Sequence, residues 1–394
     1  MQQEKPRTGH IVLLAASLVS AALGSLHAFS VFLDPLEQLF GAPRSSVSLT
    51  YSLALLSLTF AVLMGPRYYS RWTASQLMAV VCILAAGGAL LAGFAPSLLL
   101  VWLGYSLVFG LANGLGYGFG LQIAAQENPG REGLAMGVVT AAYAFGAVIS
   151  PILFDMAVAA DGFRAALVSL AGTLVGVGLL SGLLFRSVSA TFQADDLADK
   201  ENAGSHPGQI LLWLGYFGGV LAGLMVIGHA AGISASLRPD LVPWLAPATI
   251  AACNLVGSLA GGRLVDRSPL AVVLAGLALL TSVSIAALAV FGALGGTLIG
   301  FGMIGFAYGG TIAAYPAAIA KLFGMQNSAR IYGRVFTAWG GAGLAGPWLA
   351  GFLFDKDGDY QIALLVAATF GLMSAGAILV LFGRRQLHIG QNRF

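Results

Sequence analysis

Charged side chains are scarce in this sequence. Of its 394 residues, 9% are Asp, Glu, Lys or Arg and 58% are hydrophobic, whereas soluble domains carry about 25% charged residues. So few charged groups exclude an ordinary water-soluble fold. The net charge of +3 comes from basic residues scattered over many short segments, so the sequence predicts no nucleic-acid-binding patch. The chain is therefore expected to lie in a membrane.

Cysteines and catalytic groupings are also scarce. The two cysteines, Cys82 and Cys253, lie in apolar runs and are poor disulfide partners. The apolar segments carry no acidic side chain near their midpoints and no Cys and His spacing of the metal-binding type. The sequence therefore predicts no enzyme activity, no metal site and no cofactor.

Long apolar runs are abundant. A helix that crosses about 30 Å of hydrocarbon needs about 20 mostly apolar residues, and blocks of that length recur from residue 10 to residue 383. The 54 glycines are expected to let helix backbones approach closely in lipid, where no hydrophobic force draws helices together. We predict an all-α membrane protein of twelve transmembrane helices, at residues 10–33, 45–65, 75–94, 97–124, 132–155, 163–185, 210–235, 243–262, 269–289, 292–320, 331–354 and 360–383.

A polar stretch divides these spans into two groups of six. Residues 187–209 contain several acids, a lysine and a histidine, and they show no apolar periodicity. The predicted domains are an N-terminal six-helix bundle (1–186), a cytoplasmic linker (187–209) and a C-terminal six-helix bundle (210–394).

The placement of positive charge predicts the orientation in the membrane. Arg44, Arg164, Arg238 and Lys356 fall in one set of alternate loops, and all other Lys and Arg residues fall in the other set. Because positive charge is retained in the cytoplasm, both termini and the linker are predicted to be cytoplasmic, which requires an even number of spans. The polar segment 1–8 runs into the first helix without a cleavage site, so that helix is expected to be retained. The short loops favour a bacterial inner membrane.

The two halves repeat a short pattern that ends the fifth and eleventh spans. Internal duplication of this kind is typical of secondary transporters. The repeated residues are Gly146, Phe154 and Asp155 in the first half and Gly346, Phe354 and Asp355 in the second.

The segment after the eighth span reads Gly-Arg-Leu-Val-Asp-Arg over residues 262–267. It resembles the G-x-L-x-D-R loop signature of the major facilitator superfamily. The resemblance implies that the acid caps neighbouring cytoplasmic helix ends and that the arginines pair at the cytoplasmic gate. The equivalent loop of the first half, residues 65–71, keeps the bases but lacks the acid. The predicted gating residues are Gly262, Asp266, Arg267 and Arg131.

Segments 23–33, 130–137 and 332–340 resemble the monocarboxylate transporter and oxalate/formate antiporter branch of that superfamily. The resemblance implies a secondary transporter of small carboxylates that works by alternating access. Family members bind carboxylate with an arginine in the eighth helix, and the oxalate carriers add a lysine in the eleventh.

This chain departs from the branch at those charged positions. Alignment puts Ser258 in place of the arginine, Trp339 in place of the lysine, and Asn254 where animal members have an aspartate. A dianion would face a large burial cost without the positive charges. The substitutions therefore favour a monocarboxylate that enters together with a proton.

Two histidines are the titratable candidates for substrate binding inside the predicted spans. His27 lies deep in the first span, near the position of a lysine in animal relatives, and His229 lies deep in the seventh. An unperturbed histidine has a pKa of about 6.5, so a protonated ring could bind a carboxylate and supply the coupled proton. The alternative is that each histidine is a packed, neutral residue.

Neutral polar groups complete the predicted site. Asn113 and Tyr117 share one face of the fourth span because they are four residues apart, and Asn254 and Ser258 have the same spacing in the eighth. Tyr315 precedes a proline that implies either a local break or a bend in the tenth span. Each tyrosine has the alternative reading of a packing residue. The predicted substrate-binding residues are His27, Leu26, Asn113, Tyr117, His229, Asn254, Ser258, Tyr315 and Phe336, of which Leu26 and Phe336 size the pocket.

These residues and the resemblance predict a proton-coupled symporter of small monocarboxylates of the lactate and pyruvate type, functional as a monomer. Its predicted partners are the substrate, protons and the lipid bilayer. Three alternatives stay open: an anion exchanger of the oxalate/formate type, an efflux carrier for lipophilic compounds, and a receptor or sensor built on a transporter scaffold.

Overall fold

A computed structural model describes residues 4–69, 71–129, 131–192, 207–291, 296–323 and 325–391. The chain divides into two compact units, unit 1 (Met1–Ala198) and unit 2 (Asp199–Phe394). The predicted linker, 187–209, lies largely outside the described residues, which omit 193–206. The described residues are almost entirely helical and form no strand, apart from an isolated β-bridge between Thr73 and Thr191.

Unit 1 is built from helices that cover the predicted spans. Between α1 and α2 the chain continues as a 3₁₀ helix over Gly24–Phe32, and between α6 and α7 as a π-helix over Trp102–Phe109. The helices of unit 1 are α1 (Glu4–Leu23), α2 (Leu33–Phe40), α3 (Arg44–Met64), α4 (Pro66–Tyr69), α5 (Ala74–Gly93), α6 (Leu98–Val101), α7 (Gly110–Gln126) and α8 (Glu132–Ser187).

Unit 2 is also built from helices. Its helix α13 runs through Pro316 without interruption, so the local break considered for the tenth span is absent there. The helices of unit 2 are α9 (Pro207–Ile227), α10 (Ala230–Leu237), α11 (Leu245–Arg267), α12 (Leu270–Phe291), α13 (Thr297–Phe323), α14 (Met325–Asp357) and α15 (Gln361–Gln391).

Ten helical segments within the described residues are long and apolar enough to cross a membrane. One of them, Leu134–Ser187, has 54 residues and covers the predicted fifth and sixth spans. Gly162 interrupts it with φ of 80° and ψ of −177°, a conformation that favours glycine because it has no Cβ. Helix α14, over the predicted eleventh span, is not among the ten. The number twelve therefore stays a prediction.

Glycines let helices touch backbone to backbone in both units. In unit 1, a Cβ placed on Gly146 of α8 would lie 1.8 Å from the Ala21 carbonyl oxygen of α1. In unit 2, a Cβ on Gly257 of α11 would lie 2.0 Å from the Phe306 carbonyl oxygen of α13. Any larger residue would force these helices apart. This is the close packing that the high glycine content predicts.

The G-x-L-x-D-R segment is helical, so its prediction as a loop is wrong. Gly262, Asp266 and Arg267 all lie in the last turns of α11, which ends only at Arg267. Ser268 is extended, with φ of −128° and ψ of 157°, because the residue before a proline is disfavoured in the α conformation. Pro269, rather than Gly262, therefore ends this helix.

Two other predicted spans also differ from the structure. The first continues past residue 33 as α2, which ends at Phe40 before Gly41, whose φ is 58°. The seventh, predicted as continuous over 210–235, is interrupted between α9 and α10 at Gly228 and His229. A Cβ on Gly228 would lie 2.9 Å from Pro347 Cβ, so α14 packs directly against this interruption.

Candidate functional site

His27 lies within the 3₁₀ helix of unit 1 and is partly buried. Its Nδ1 atom is 2.6 Å from the hydroxyl oxygen of Tyr51 on α3. The ring of Tyr143 on α8 packs edge-on against the imidazole, with centroids 5.6 Å apart. The histidine is thus held between two tyrosines from two different helices.

Asn113 connects α7 to the same region. The Tyr143 hydroxyl donates a hydrogen bond to Asn113 Oδ1 over 3.1 Å. Asn113 Nδ2 in turn donates to the Leu23 carbonyl over 2.7 Å, at the junction between α1 and the 3₁₀ helix. Asn113 is fully buried. Its amide therefore fixes both Tyr143 and the start of the segment that carries His27.

Tyr117 extends the group along α7. Its ring lies 4.9 Å from that of Tyr143, and its hydroxyl lies 3.3 Å from Thr140 Oγ1. We call His27, Tyr51, Asn113, Tyr117 and Tyr143 the histidine cluster. It contains hydroxyl, amide and imidazole groups and no carboxylate, lysine or arginine. Leu26, the neighbour of His27, is fully buried.

In unit 2, Asn254 and Ser258 lie against the backbone of α13. Ser258 Oγ is 3.2 Å from the Gly309 carbonyl oxygen and 3.3 Å from Asn254 Oδ1. The hydroxyl has one proton and can donate to one of these acceptors at a time. A Cβ on Gly309 would lie 2.3 Å from Asn254 Oδ1. This pair therefore contributes to the packing of α11 on α13, and both side chains are partly exposed.

Aromatic side chains surround Trp339, which stands where oxalate carriers have a lysine. The Trp339 indole donates to the Tyr308 hydroxyl over 3.0 Å. Phe336 stacks on Trp339 with centroids 5.5 Å apart and an interplanar angle of 3°. Tyr315 instead packs on Tyr216, with centroids 4.2 Å apart. The structure thus brings Phe336 together with Trp339 on α14. It places Tyr315 of α13 against Tyr216 of α9 instead.

His229 of unit 2 is fully buried. Its Nε2 is 2.8 Å from the Pro347 carbonyl oxygen, and its Nδ1 is 3.0 Å from the Tyr360 hydroxyl. A carbonyl can only accept, so Nε2 carries a proton, and in the neutral ring the Tyr360 hydroxyl donates to Nδ1. Both ring nitrogens of His229 therefore have partners within the protein.

The predicted gating residues lie at helix ends. Asp266 forms an ion pair with Lys321 of α13 over 3.5 Å, and the Lys321 ammonium also donates to the Val265 carbonyl over 2.5 Å. Lys321 thus ties α13 to the end of α11. Arg131 is exposed at the N-cap position of α8.

Tyr51 and Tyr143 of the histidine cluster were not predicted from the sequence. Each is a tyrosine inside a predicted apolar span, which is the available signal, but no spacing relates either one to His27. An ionic cluster at the junction of α2 and α3 was not predicted either. There the buried Arg44 side chain forms an ion pair with Asp34. It also contacts both oxygens of the Glu37 carboxylate, with 2.7 Å between Nη2 and Oε2.

A second ion pair lies in the segment after α10. The Arg238 guanidinium contacts both oxygens of the Asp240 carboxylate, at 2.6 and 2.7 Å. This contact lowers the pKa of Asp240 and raises the pKa of Arg238. Its favourable contribution to folding is present above the ordinary pKa of Asp and is lost as the pH falls through the lowered value. Because the pair is exposed to solvent, that contribution is small.

Comparison with known proteins found relatives along most of the chain, and no family model matches it. The uncharacterized MFS-type transporter YhjX of Escherichia coli (strain K12) is 26% identical over 360 residues, 85% of each chain. Monocarboxylate transporter 13 of Rattus norvegicus is 29% identical over 391 residues, 95% of this chain and 89% of the relative. Monocarboxylate transporter 11 of Mus musculus is 26% identical over 383 residues, 92% of this chain and 85% of the relative.

Solved structures share the fold at much lower identity. A peptide transporter POT in complex with alafosfalin aligns with a TM-score of 0.75 and 12% identity, covering 94% of each chain. The xylose transporter XylE from E. coli, in an inward open conformation, aligns with a TM-score of 0.74 and 15% identity, covering 93% of this chain and 95% of XylE. The homologues of this chain are therefore MFS-type transporters, monocarboxylate transporters 11 and 13 among them, and its fold is that of major facilitator transporters.

Proposed function

We propose that this protein is a secondary transporter of small monocarboxylates of the lactate and pyruvate type, driven by proton symport through alternating access. The observation that carries the proposal is the histidine cluster, in which His27 is a titratable group among neutral hydrogen-bonding side chains. The names of two mammalian relatives, monocarboxylate transporters 11 and 13, support the substrate class.

Proton coupling follows from the chemistry of His27. A protonated imidazole donates charge-assisted hydrogen bonds to a carboxylate, which are about twice as strong as neutral ones. Loss of the proton removes the charge and weakens the bond, so substrate and proton leave together. A carboxylate that moved alone through a low-dielectric site would leave its charge uncompensated.

The charge of the proposed substrate follows from the absence of a fixed positive charge on three candidate residues of unit 2. Ser258, Asn254 and Trp339 supply hydrogen-bonding groups without a fixed positive charge. One protonated histidine balances one carboxylate, so a monocarboxylate is favoured over a dianion such as oxalate. Tyr117, Tyr315, His229, Leu26 and Phe336 remain candidates for the substrate site, in addition to the rest of the predicted set.

The topology belongs to the same proposal. We place the six-helix bundles at 1–186 and 210–394, the linker 187–209 in the cytoplasm together with both termini, and the monomer as the functional unit in a bacterial inner membrane. Arg131, Gly262, Asp266 and Arg267 are proposed to act at the cytoplasmic gate.

The test is uptake of radiolabelled L-lactate by proteoliposomes, with and without an inward pH gradient. Wild type is compared with His27→Gln and with His10→Gln, which removes an exposed histidine near the start of α1, the helix that leads into the 3₁₀ segment. We expect saturable, gradient-driven uptake by wild type and His10→Gln, and a loss of at least about tenfold in His27→Gln, as for loss of a hydrogen bond to a charged group.

Two other uptake results would favour the alternative functions. Uptake that ignores the gradient but is accelerated by internal anion would indicate an exchanger of the oxalate/formate type. Absence of uptake by folded protein would overturn the monocarboxylate proposal in favour of an efflux carrier for lipophilic compounds. The observation that favours this second candidate is the stack of Phe336 and Trp339 beside Tyr308, a cluster of aromatic rings without charge.

A further inference from the structure

The segment that carries His27 is an unusual support for a binding group. The 3₁₀ helix over Gly24–Phe32 has nine residues, whereas 3₁₀ runs longer than about four residues are uncommon because their hydrogen-bond geometry is poorer. A side chain on such a segment needs contacts from neighbouring helices to hold its orientation. For His27, the hydrogen-bond contact comes from Tyr51.

Tyr51 is itself held rigidly. Its side chain is 1% exposed. Phe29, two residues after His27, stacks on the Tyr51 ring with centroids 5.7 Å apart and an interplanar angle of 5°. The 3₁₀ helix thus supplies both the packing that fixes Tyr51 and the imidazole that Tyr51 contacts. Because the Tyr143 ring also packs against the imidazole, with centroids 5.6 Å apart, contacts from two helices restrict the rotation of the histidine ring.

The short contact between Tyr51 and Nδ1 determines which nitrogen of the neutral ring carries the proton. A neutral imidazole has one N–H donor and one acceptor nitrogen. A phenol is a better proton donor than a neutral imidazole N–H, so the hydroxyl donates and Nδ1 accepts. The ring proton then lies on Nε2. In the protonated ring both nitrogens are donors, Nδ1–H donates to the Tyr51 oxygen, and Nε2–H is retained.

We propose that Tyr51 is the positioning residue of the transport site, because it holds His27 in the Nε2–H tautomer and leaves Nε2–H to donate to the substrate carboxylate. This inference rests on the proposed function for the identity of the ligand, whereas the tautomer is a property of the protein alone. Tyr51 acts through His27 and does not itself contact the carboxylate.

The tautomer can be measured without any substrate. The protein is labelled with ¹⁵N-histidine, and the ring ¹⁵N shifts are recorded at a pH where His27 is neutral. The chain has five histidines, and the signals of His27 are assigned by their loss in His27→Gln. We expect a protonated Nε2 and a hydrogen-bonded, unprotonated Nδ1 in wild type, and a mixture of tautomers in Tyr51→Phe.

Tyr105→Phe is the matched control. The Tyr105 ring also packs against Phe29, with centroids 5.5 Å apart, and its buried hydroxyl has no hydrogen-bond partner among the described residues. This variant should leave the His27 signals unchanged. A proton on Nδ1 in wild type, or identical His27 shifts in wild type and Tyr51→Phe, would overturn the inference. The wild-type measurement decides this even if Tyr51→Phe does not fold.

A transport measurement tests the link to substrate. If wild type takes up L-lactate, Tyr51→Phe should raise KM by about tenfold and change kcat less, because the imidazole is present but no longer aligned. Tyr105→Phe should keep the wild-type KM. An unchanged KM in Tyr51→Phe would contradict the positioning role. If wild type transports no lactate, the proposed function has failed, and the ¹⁵N result still decides the tautomer.

Discussion

Identical side chains have different environments in the two units, as the two histidines show. His27 is partly buried, and its Nδ1 contacts the Tyr51 hydroxyl. His229 is fully buried and has partners at both ring nitrogens, Tyr360 and the Pro347 carbonyl. Both histidines were predicted as candidates because each lies deep in a predicted span. The difference depends on which side chains arrive from other helices, which the sequence does not reveal.

Loss of the Tyr360 hydroxyl should destabilise unit 2. In Tyr360→Phe, His229 loses the hydrogen bond between Nδ1 and the Tyr360 hydroxyl in a fully buried position, and loss of such a bond costs about 0.5–1.5 kcal/mol. Thermal unfolding in detergent should therefore show a lower midpoint than wild type. Tyr105→Phe, whose hydroxyl lacks a partner among the described residues, should keep the wild-type midpoint. Equal midpoints for the two variants would contradict the assigned hydrogen bonds.

Tyr69 shows how unit 1 replaces the missing acid of the signature. It stands four residues after Gly65, as Asp266 stands four residues after Gly262. Its side chain is fully buried and stacks edge-on with Phe119 and Phe192. Burial raises the pKa of the Tyr69 phenol. Aromatic packing therefore occupies the position where the signature has a charge.

Substitutions at Tyr69 should separate packing from charge. Its hydroxyl has no hydrogen-bond partner within the described part of the chain, so Tyr69→Phe should keep the wild-type unfolding midpoint or raise it slightly. Tyr69→Asp restores the signature acid but removes the ring and buries a carboxylate, which should cost several kcal/mol. A Tyr69→Asp protein as stable as Tyr69→Phe would show that the position is not a packing site.

Helix positions were largely predictable, whereas helix ends and interruptions were not. Apolar length places α3, α5 and α12 within a few residues of their predictions, because a bilayer sets that length. The missed features depend on local backbone chemistry or on neighbours: Pro269 extends α11 past Gly262, and α14 packs against the interruption at Gly228. The 3₁₀ and π-helical segments are as apolar as the α-helices around them, so no pattern of apolar residues distinguishes them from an α-helix.

Glycines on α8 should differ in their tolerance of alanine. A Cβ on Gly146 would lie 1.8 Å from the Ala21 carbonyl oxygen, whereas a Cβ on Gly176 would meet no atom within 4 Å. Gly146→Ala should therefore lower the unfolding midpoint strongly. Gly176→Ala should keep or raise it, since alanine in a helix is favoured over glycine by about 1 kcal/mol. Similar midpoints for both variants would contradict the packing of α1 on α8.

The repeated glycine of unit 2 extends this comparison. A Cβ on Gly346 would lie 3.2 Å from the Leu221 carbonyl oxygen, a tight but adjustable distance. Gly346→Ala should therefore be milder than Gly146→Ala. The sequence repeat predicts equivalence of the two glycines, and the structure shows that α14 and α9 leave more room than α8 and α1.

At the scale of the whole molecule, composition was enough to predict an all-helical membrane fold, and short motifs were enough to predict the superfamily. The structure and the relatives confirm both. The candidate site was only partly accessible. His27 was predicted from its depth in the first span and Asn113 with Tyr117 from their spacing. Tyr51 and Tyr143, which connect them in the structure, have no spacing or motif that relates them to His27.

Proton movement coupled to lactate is the most direct measurement of the proposed transport. External L-lactate is added to proteoliposomes that contain a pH-sensitive dye, with no imposed pH gradient. The membrane potential is held at zero throughout. Symport through His27 predicts internal acidification by wild type and His10→Gln and none by His27→Gln. Labelled lactate entering without acidification, or undiminished acidification in His27→Gln, would contradict proton coupling at this histidine.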